Sequence, residues 1–338
     1  MLLTRDKFRE LALLRDKNKC VICKAPATEV HHIVERRLFD DGGYYLNNAA
    51  SVCNACHRLA EQTKITCEQI RIAANITVTV LPEHLYDDER YDKWGNIILA
   101  NNKRIRGELF YDDSIQKILR EGNVLGDFTR YVKYGRTYHL PMSQNISDDD
   151  KVCKTYPEMF VGKRVIISTK LDGENTTFYN DYIHARSIDS KYHASRTWVK
   201  NLHGQIAYLI PDGWRVCGEN LYAQHSIHYK NLKSYFLMFS IWNDKNVCLS
   251  FDETKEWAEL LGLTHETALY DGVFNEEKLL ECISKINTGE DEGLIIRNAE
   301  AFPYAAFRKN VAKWVRKNHV HTHAHWMQQE IIPNELIK

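Results

Sequence analysis

From Tyr131 onward, short β-branched and aromatic runs recur between turn residues, which is the pattern typical of strands. An Asn-Asp pair separates two of these runs, so we expect them to form a hairpin. Two later stretches repeat apolar residues at helical spacing. The pattern predicts strands at 165–169, 176–179, 182–187, 214–221 and 234–242 and helices at 253–261 and 275–286.

The segment 70–129 has a weaker pattern. A short capped helix is predicted at 113–119, and the charged runs at 87–92 and 101–104 are predicted to be exposed loops. These loops carry basic residues that we expect to be solvated, with contact to phosphate as the alternative. The basic residues are Lys103, Arg104 and Arg106.

Length and composition are those of an ordinary two-domain globular protein. Of 338 residues, 44% are hydrophobic and 27% are charged, and the formal net charge is zero, so any nucleic-acid surface must be local. There is no apolar run of the roughly 18 residues that span a bilayer and no signal-peptide pattern, which predicts a cytoplasmic protein. We expect a small domain at 1–70, a connector or extension at 71–130 and a larger domain at 131–338.

Four of the nine cysteines form two Cys-x-x-Cys pairs, Cys20 with Cys23 and Cys53 with Cys56. Two such pairs can surround one Zn²⁺ with four thiolates. A redox Cys-x-x-Cys needs a single pair and leaves the second unexplained. We therefore predict a structural zinc site in a reducing compartment, rather than a disulfide framework.

Histidines accompany the predicted zinc site. His31 and His32 lie between the two pairs, and His57 directly follows the second pair. Together with Asn48, they resemble the HNH endonuclease family, which has a ββα-metal fold. The resemblance implies that His32 is a general base oriented by Asn48, or by Asn47 if the match shifts by one residue. It also implies that His31 and His57 hold a divalent cation against the scissile phosphate. A module that binds nucleic acid without cleaving it remains the alternative.

A second set of polar residues follows the strand at 165–169. The run Lys-Leu-Asp-Gly-Glu-Asn places an ammonium where core strands seldom carry one. Lys170 can become a nucleophile if its pKa is lowered, and Asp172, Gly173 and Asn175 add polar groups and a tight turn. The run predicts a place where a nucleotide phosphate meets a lysine amine, with a solvated turn as the alternative.

Five further segments follow this run in order. The six together resemble the covalent nucleotidyltransferase superfamily of ATP-dependent ligases and mRNA capping enzymes, from about Tyr131 to Arg316. Within the superfamily the chain looks most like RNA ligases of the phage and bacterial type. The resemblance implies an antiparallel-sheet, ATP-grasp-like adenylation domain. The expected fold class is therefore α+β, with a small HNH-like zinc domain before the nucleotidyltransferase domain.

The resemblance also implies how the phosphates are handled. Lys170 would attack the α-phosphate of ATP and form a lysyl–AMP phosphoramidate. Glu292 would bind Mg²⁺ or Mn²⁺, and Lys313 would touch the α-phosphate. The superfamily usually has a second lysine two residues later, but here that cation is either Arg316 or a residue elsewhere.

Other matching residues would hold the nucleoside. Arg186 would contact the ribose or the 5′ phosphate of the recipient strand, and Glu219 would contact the ribose hydroxyls or a metal. Phe239 would stack on adenine, with Phe236 as the alternative if the strand presents its other face.

DNA ligases and capping enzymes normally continue into an OB-fold, and only about two dozen residues follow Lys313. We therefore expect an RNA ligase that joins 3′-OH and 5′-phosphate ends, with RNA or a nicked duplex as its partner. The alternatives are an HNH endonuclease with an accessory end-repair ligase and an ATP-dependent DNA ligase. The alternating histidines within 319–325 predict a polar strand face, or a site for phosphate or metal.

Overall fold

The computed structural model describes residues 1–144, 146, 150–286, 291–317 and 330–338. The chain forms two compact units, Met1–Arg130 and Tyr131–Lys338. Within the described residues, none of the helices is long and apolar enough to cross a membrane. The alternating histidines within 319–325 lie outside the described residues.

Unit 1 is built on a two-stranded antiparallel sheet and a three-stranded sheet, with helices around them. Polar caps set the start of several helices: Thr66 and Gln69 form a capping box, and Asp112 accepts from the Ser114 amide. In chain order its elements are α1 (Arg5–Arg15), β1 (Glu29–His32), β2 (Ala49–Val52), α2 (Asn54–Glu61), α3 (Cys67–Ala73), β3 (Arg90–Tyr91), β4 (Ile97–Ile98), β5 (Arg104–Ile105) and α4 (Asp113–Glu121).

The three-stranded sheet, in the order β3-β4-β5, corrects part of the loop prediction. Residues 87, 88 and 101–103 are exposed as predicted, but Asp92 and Arg104 are only 2% and 9% exposed. Arg104 donates to Asp92 over 3.0 Å, and the side chain of Asn96 donates to the same carboxylate. A charged side chain can be buried when a partner neutralises it, and periodicity does not reveal such a partner.

Unit 2 contains a five-stranded sheet and a seven-stranded sheet. The five-stranded sheet has the order β14-β7-β15-β17-β6, and the other runs β16-β12-β11-β10-β8-β9, with β13 paired to β11. In chain order the elements are β6 (Tyr138–His139), β7 (Arg164–Lys170), β8 (Glu174–Phe178), β9 (Ile183–Ala185), α5 (Thr197–Ile206), β10 (Arg215–Asn220), β11 (Phe236–Trp242), β12 (Val247–Cys248), α6 (Phe251–Leu260), β13 (Thr264–His265), β14 (Ala268–Val273), α7 (Glu276–Lys285), β15 (Gly293–Asn298), β16 (Phe302–Pro303) and β17 (Val311–Val315).

The strands and helices predicted for unit 2 are confirmed. The run at 165–169 forms β7, the two runs around the Asn-Asp pair form the antiparallel hairpin β8–β9, and the periodic stretches form α6 and α7. Apolar residues of the seven-stranded sheet form one core with α5 and α6, and those of the five-stranded sheet form another with α7. Most strand pairs are antiparallel; β6–β17 and β11–β13 are parallel.

Candidate functional site

One cavity of about 720 Å³ lies in unit 2 and is lined by strands of both sheets. One part of its wall is charged and carries the predicted phosphate-handling residues. Another part is mostly apolar. The charged lining residues include Lys170, Glu174, Arg186, Arg196, Glu219, Glu292 and Lys313, and the apolar ones include Tyr134, Leu237, Phe239, Cys248, Ile295, Phe302 and Val311.

Lys170 is the last residue of β7 and donates a hydrogen bond to the Glu292 carboxylate. The pairing of β7 with β15 produces this contact, because it sets Lys170 opposite Gly293. A side chain at Gly293 would collide with the Trp314 carbonyl oxygen of β17. Glycine is therefore required at this position, one residue after Glu292.

The pKa values of the charged side chains in this cavity are set by burial and by neighbouring charges, which oppose each other at Lys170 and Glu219. Burial alone would lower the pKa of Lys170, but the carboxylates of Glu292 and Glu219 outweigh it and raise that pKa above its ordinary value. Burial raises the pKa of Glu219 to about 8, although Lys170 opposes the shift. Burial, and then the positive charge of Lys170, lowers the pKa of Lys313. Without a ligand, Lys170 is therefore an ammonium held by acids.

The turn after Lys170 is held by two hydrogen bonds that Asp172 forms with residues outside the turn. The Ser226 amide donates to the Asp172 carboxylate over 2.7 Å, and the Asp172 amide donates to the Tyr229 hydroxyl over 2.7 Å. Gly173 and Asn175 line the cavity, and Asn175 Oδ1 is buried without a hydrogen bond. Asp172 thus fixes the turn, and Asn175 presents an acceptor at the cavity wall.

The two phenylalanines proposed for base stacking have different surroundings. Phe236 is fully buried and stacks on Phe178, with 4.5 Å between ring centroids. Phe239 points to the other face of β11, is half-buried and lines the cavity. Of the two alternatives, only Phe239 reaches the cavity. Arg186 is exposed and also lines it.

Of the two candidate cations near the end of β17, Lys313 reaches the cavity and Arg316 does not line it. Lys313 lines the cavity, with its Nζ 3.9 Å from Asp150 Oδ1. Arg316 donates through Nε to the Asp291 carbonyl over 2.6 Å and does not belong to the described residues that line the cavity. Its guanidinium therefore supports the segment that carries Glu292, and Arg136 is another cation at the cavity wall.

Sequence reasoning missed several charged residues of this cavity. Arg196 forms two hydrogen bonds of 2.7 Å and 2.5 Å with the Glu174 carboxylate, immediately beside the turn after Lys170. Glu266 and Arg297 line the mostly apolar part of the wall. Nothing in the sequence pairs Arg196 with Glu174, since the two are 22 positions apart in separate elements.

Unit 1 holds a cluster of possible metal ligands formed by His31, His57 and Glu61, whose donor atoms lie within 4.8 Å of one another. Glu61 Oε1 lies 3.4 Å from His31 Nδ1 and 3.2 Å from His57 Nε2. Both ring nitrogens of His31 are buried without a hydrogen bond, as expected of a side chain whose partner is a cation. Imidazole and carboxylate donors suit a divalent transition metal. Glu61 was missed, although its position four residues after His57 on α2 places both on one helix face.

Lys93 lies against this cluster and was not predicted. Its side chain is 5% exposed, and its Nζ lies 3.1 Å from the His32 carbonyl oxygen, 3.2 Å from Glu35 and 3.2 Å from Glu61. The ammonium therefore has one hydrogen bond, to the His32 carbonyl, and two ion pairs, one with each carboxylate. Lys93 thus joins β1, the residues after β1 and the end of α2.

The predicted general base and its asparagine lie beside the cluster. The His32 ring stacks on Phe8 at 4.5 Å, and its Nε2 is buried without a hydrogen bond. Burial lowers the pKa of His32 to about 4, so its imidazole is neutral at pH 7. Asn48 donates to the carbonyls of Val34 and Gly43 and accepts from the Val34 amide. Its amide therefore fixes the backbone after His32, and these three hydrogen bonds are to backbone groups rather than to the imidazole ring.

The four cysteines of the two Cys-x-x-Cys pairs converge. Their sulfur atoms lie within 4.8 Å of one another, and the sulfurs of Cys23 and Cys53 are 3.6 Å apart. None of the four forms a disulfide. Four sulfur donors from two pairs are the ligand set of a structural zinc site, and they fit Zn²⁺ here.

Two family models match the chain in the order of its units. The HNH endonuclease model matches residues 20–63, and the RNA ligase model matches residues 163–315. The protein therefore combines a ligase domain with a nuclease-type domain. The larger unit holds the segment that the RNA ligase model matches, and the segment before it that the HNH model matches carries the four-cysteine cluster.

Solved structures similar to this chain include RNA ligases from Naegleria gruberi. One, with PPi, has 21% identity and a TM-score of 0.37, over 54% of this chain and 59% of that chain. A variant with ATP and Mn has 18% identity and a TM-score of 0.38, over 58% and 59%. A suggested ATP-dependent DNA ligase from Aquifex aeolicus has 17% identity and a TM-score of 0.36, over 54% and 50%. The match thus covers about three fifths of the Naegleria proteins. No curated protein matches the chain.

Proposed function

We propose that this protein is an ATP-dependent RNA ligase that joins 3′-OH and 5′-phosphate ends through lysyl–AMP on Lys170. The observation that carries the proposal is the position of Lys170 at the wall of a 720 Å³ cavity, in contact with Glu292. Glu219 and Lys313 line the same cavity. A lysine placed among acids in a cavity large enough for a nucleotide suits covalent nucleotidyl transfer better than a structural role.

Three displacements at phosphorus complete the reaction. The Lys170 amine attacks the α-phosphorus of ATP; an N–P bond forms, the bond to the β-phosphate oxygen breaks, and pyrophosphate leaves while the amine loses a proton. An oxygen of the RNA 5′ phosphate then displaces the amine from AMP. Finally the 3′ hydroxyl loses its proton, attacks the 5′ phosphorus and releases AMP. Each step depends on positioning and on neutralising phosphate charge.

Lys170 needs to lose its proton before the first step. Glu292 and Glu219 supply carboxylate oxygens, the ligands that Mg²⁺ or Mn²⁺ prefers, so these residues would hold the cation. Bound there, the cation supplies positive charge that favours the unprotonated amine and offsets the phosphate charge. Lys313 would then contact the α-phosphate, and Arg186 would contact the ribose or the 5′ phosphate of the RNA. Phe239 would stack on the base.

For the HNH domain we propose nucleic-acid binding, with a divalent cation held by His31, His57 and Glu61. His32, neutral at pH 7, would be the general base if the domain cleaves, and Asn48 would hold the backbone that carries it. The four cysteines would hold Zn²⁺ and keep the domain folded. The domain would therefore either grip RNA for the ligase or trim its ends.

The ligase proposal is tested by incubating the full chain, freed of bound adenylate, with ATP labelled at the α-phosphate and with Mg²⁺. We expect label on the wild type that survives denaturing electrophoresis and no label on Lys170→Ala. Lys278→Ala is the matched control, because Lys278 also pairs with a glutamate but lies exposed on α7. Label on Lys170→Ala would refute the nucleophile, and an unlabelled wild type would refute the ligase chemistry.

Substrate choice and cleavage are tested on the labelled enzyme. Offered nicked RNA, nicked DNA and hybrid duplexes, it should seal RNA ends fastest; faster sealing of DNA would favour the DNA ligase alternative. Incubated with nucleic acid, Mg²⁺, Mn²⁺ or Ni²⁺ and no ATP, an active nuclease should cut, and His32→Ala should abolish the cut. No cleavage with any of these metals would leave the HNH domain as a binding module.

A further inference from the structure

The mostly apolar part of the cavity wall contains one carboxyl group whose role the ligase chemistry leaves open. Glu266 follows β13 and lines the cavity together with the aromatic and aliphatic residues around Phe239. Its backbone amide donates to the Met238 carbonyl of β11, the strand that carries Phe239. The carboxyl group and the candidate stacking ring are therefore held by neighbouring strands.

The side chain of Glu266 is also tied to the strand of the nucleophile. Ser168 donates a hydrogen bond of 2.8 Å to Glu266 Oε2. Ser168 lies two residues before Lys170 on β7, so the two side chains point to the same face, about 7 Å apart along the strand. Glu266 thus lies on the cavity side of β7, displaced from the phosphate-handling end.

The other charged residue at this part of the wall already has its partners. Arg297 is 4% exposed and donates to the backbone carbonyls of Asn298, Phe239 and Leu249. Its guanidinium therefore supports the strands behind the cavity. For Glu266, by contrast, the described residues provide a hydrogen bond at Oε2 and none at Oε1, so Oε1 can accept from a ligand.

We propose that Glu266 selects the base of the nucleotide, by accepting a hydrogen bond from the 6-amino group of adenine. The inference rests on the proposed function, since it assumes that this cavity holds the nucleotide whose α-phosphorus meets Lys170. It deepens that function by naming the residue that distinguishes one purine from another.

The chemistry of purines supports an acceptor at this position. Adenine has an amino group at position 6, which donates, whereas guanine and hypoxanthine have an oxo group there, which would face the lone pairs of the carboxyl oxygen. Burial raises the pKa of Glu266 to about 7, so above that pH the ionised group has only acceptors to offer and would repel a 6-oxo group.

The test compares ATP with inosine triphosphate, which differs from it in the 6-substituent, in wild type, Glu266→Gln and Glu266→Ala. Binding of each nucleotide to the full chain is measured by calorimetry, and labelling of Lys170 by its kcat/KM. Wild type should favour ATP by about tenfold or more, as expected when a hydrogen-bond partner is replaced by an opposing acceptor. Both variants should lose most of that preference.

The ratio of the kcat/KM for ATP to that for inosine triphosphate, measured on one preparation, does not depend on how much of the protein is folded. Ser168→Ala, which frees Oε2 without touching the nucleotide, should reduce the preference less than Glu266→Ala. Glu259→Gln, an exposed glutamate on α6, is the matched control and should retain the full preference. An unchanged ratio in both Glu266 variants would overturn the assignment.

Binding and labelling separate this inference from the ligase proposal. If ATP binds but Lys170 is not labelled, the ligase chemistry fails and the binding ratio still decides the role of Glu266. If Lys170 is labelled and the ratio ignores Glu266, only the base assignment fails. If neither nucleotide binds, both fail.

Discussion

Lys93 in unit 1 and Lys170 in unit 2 both contact glutamates, and their surroundings differ in a way that separates support from chemistry. Lys93 is 5% exposed, donates to the His32 carbonyl and forms ion pairs with Glu35 and Glu61. Lys170 is 24% exposed at a cavity wall and contacts Glu292. An ammonium surrounded by protein acceptors is a structural tie, whereas one beside an open cavity can exchange its partner for a ligand.

The carboxyl groups of the two regions differ in the same sense. Burial opposes ionisation of Glu61, but the adjacent imidazoles of His31 and His57 and the charge of Lys93 hold its pKa well below the usual range. Burial instead raises the pKa of Glu266 to about 7 and that of Glu219 to about 8. A carboxylate that stays ionised beside two imidazoles, as Glu61 does, suits a bound cation. Buried carboxyl groups with a raised pKa, such as Glu266 and Glu219, suit a ligand that enters the cavity and pairs with them.

The largest expected effect is loss of the fold of unit 1 while unit 2 keeps its activity. Cys53→Ser removes one sulfur of the four-cysteine cluster, so zinc content should fall and unit 1 should lose its fold, because binding of a structural zinc is coupled to folding. Labelling of Lys170 in unit 2 should persist. Zinc by atomic absorption and labelling on the same sample measure both, with Cys282→Ser, outside the cluster, as the control. Normal zinc content would refute the four-cysteine site.

Lys93→Met tests the structural half of the comparison. It leaves the Glu35 and Glu61 carboxylates without their shared ammonium, and breaking a buried ion pair from one side costs about 3–5 kcal/mol. Thermal unfolding of the full chain should show a lower Tm for unit 1. Lys64→Met removes an exposed lysine from the same unit and should have little effect. An equal, small change in both variants would show that Lys93 is not a tie.

A smaller effect should appear as a pH dependence in unit 2. The ordinary pKa of glutamate is 4.5, and Glu266 is raised to about 7 by burial, so between these values the folded state holds a proton that the unfolded state has lost. The free energy of unfolding therefore falls as pH rises from about 5 to 7, by about 2–3 kcal/mol in all. Glu266→Gln should make the slope of the Tm profile measured without nucleotide shallower, while the share from Glu219, whose pKa burial raises to about 8, should remain. A slope that is unchanged in the variant would show that Glu266 does not contribute to it.

The smallest expected effect on stability belongs to Lys170→Met. Water in the cavity can solvate Glu292 once the ammonium is gone, so the free energy of unfolding should change by only about 1 kcal/mol, as for other partly exposed ion pairs. Urea unfolding of wild type and variant measures this change. A loss as large as that of Lys93→Met would mean that the two lysines do the same structural work, and the comparison would fail.

Local signals explain what could be predicted from the sequence. The β-branched run before Lys170 forms β7, and the paired runs around the Asn-Asp turn form a hairpin, because each depends on neighbouring residues alone. The spacing of Cys20 and Cys23, and of Cys53 and Cys56, is equally local, and the two pairs meet as expected.

Long-range partners explain what the sequence left out. Lys93 lies 61 positions from the His32 carbonyl that it contacts, and Ser168 lies 98 positions from Glu266. Neither pairing leaves a periodic trace, because each is set by how strands and loops pack. The charged run that ends at Asp92 predicts solvent exposure, because the sequence does not show that Arg104 pairs with Asp92 in the interior.

The position of Lys93 limits how the HNH domain can be cut out or exchanged. A fragment that stopped at residue 70 would retain the whole family match at 20–63. It would lose the ammonium between Glu35 and Glu61, and also the Trp94 indole that donates to the Glu61 carbonyl over 2.9 Å. A transplantable piece should therefore extend past Trp94, as the compact unit Met1–Arg130 does. Chimeras joined at that boundary should keep the histidine cluster intact, and grafts that end before Lys93 should not.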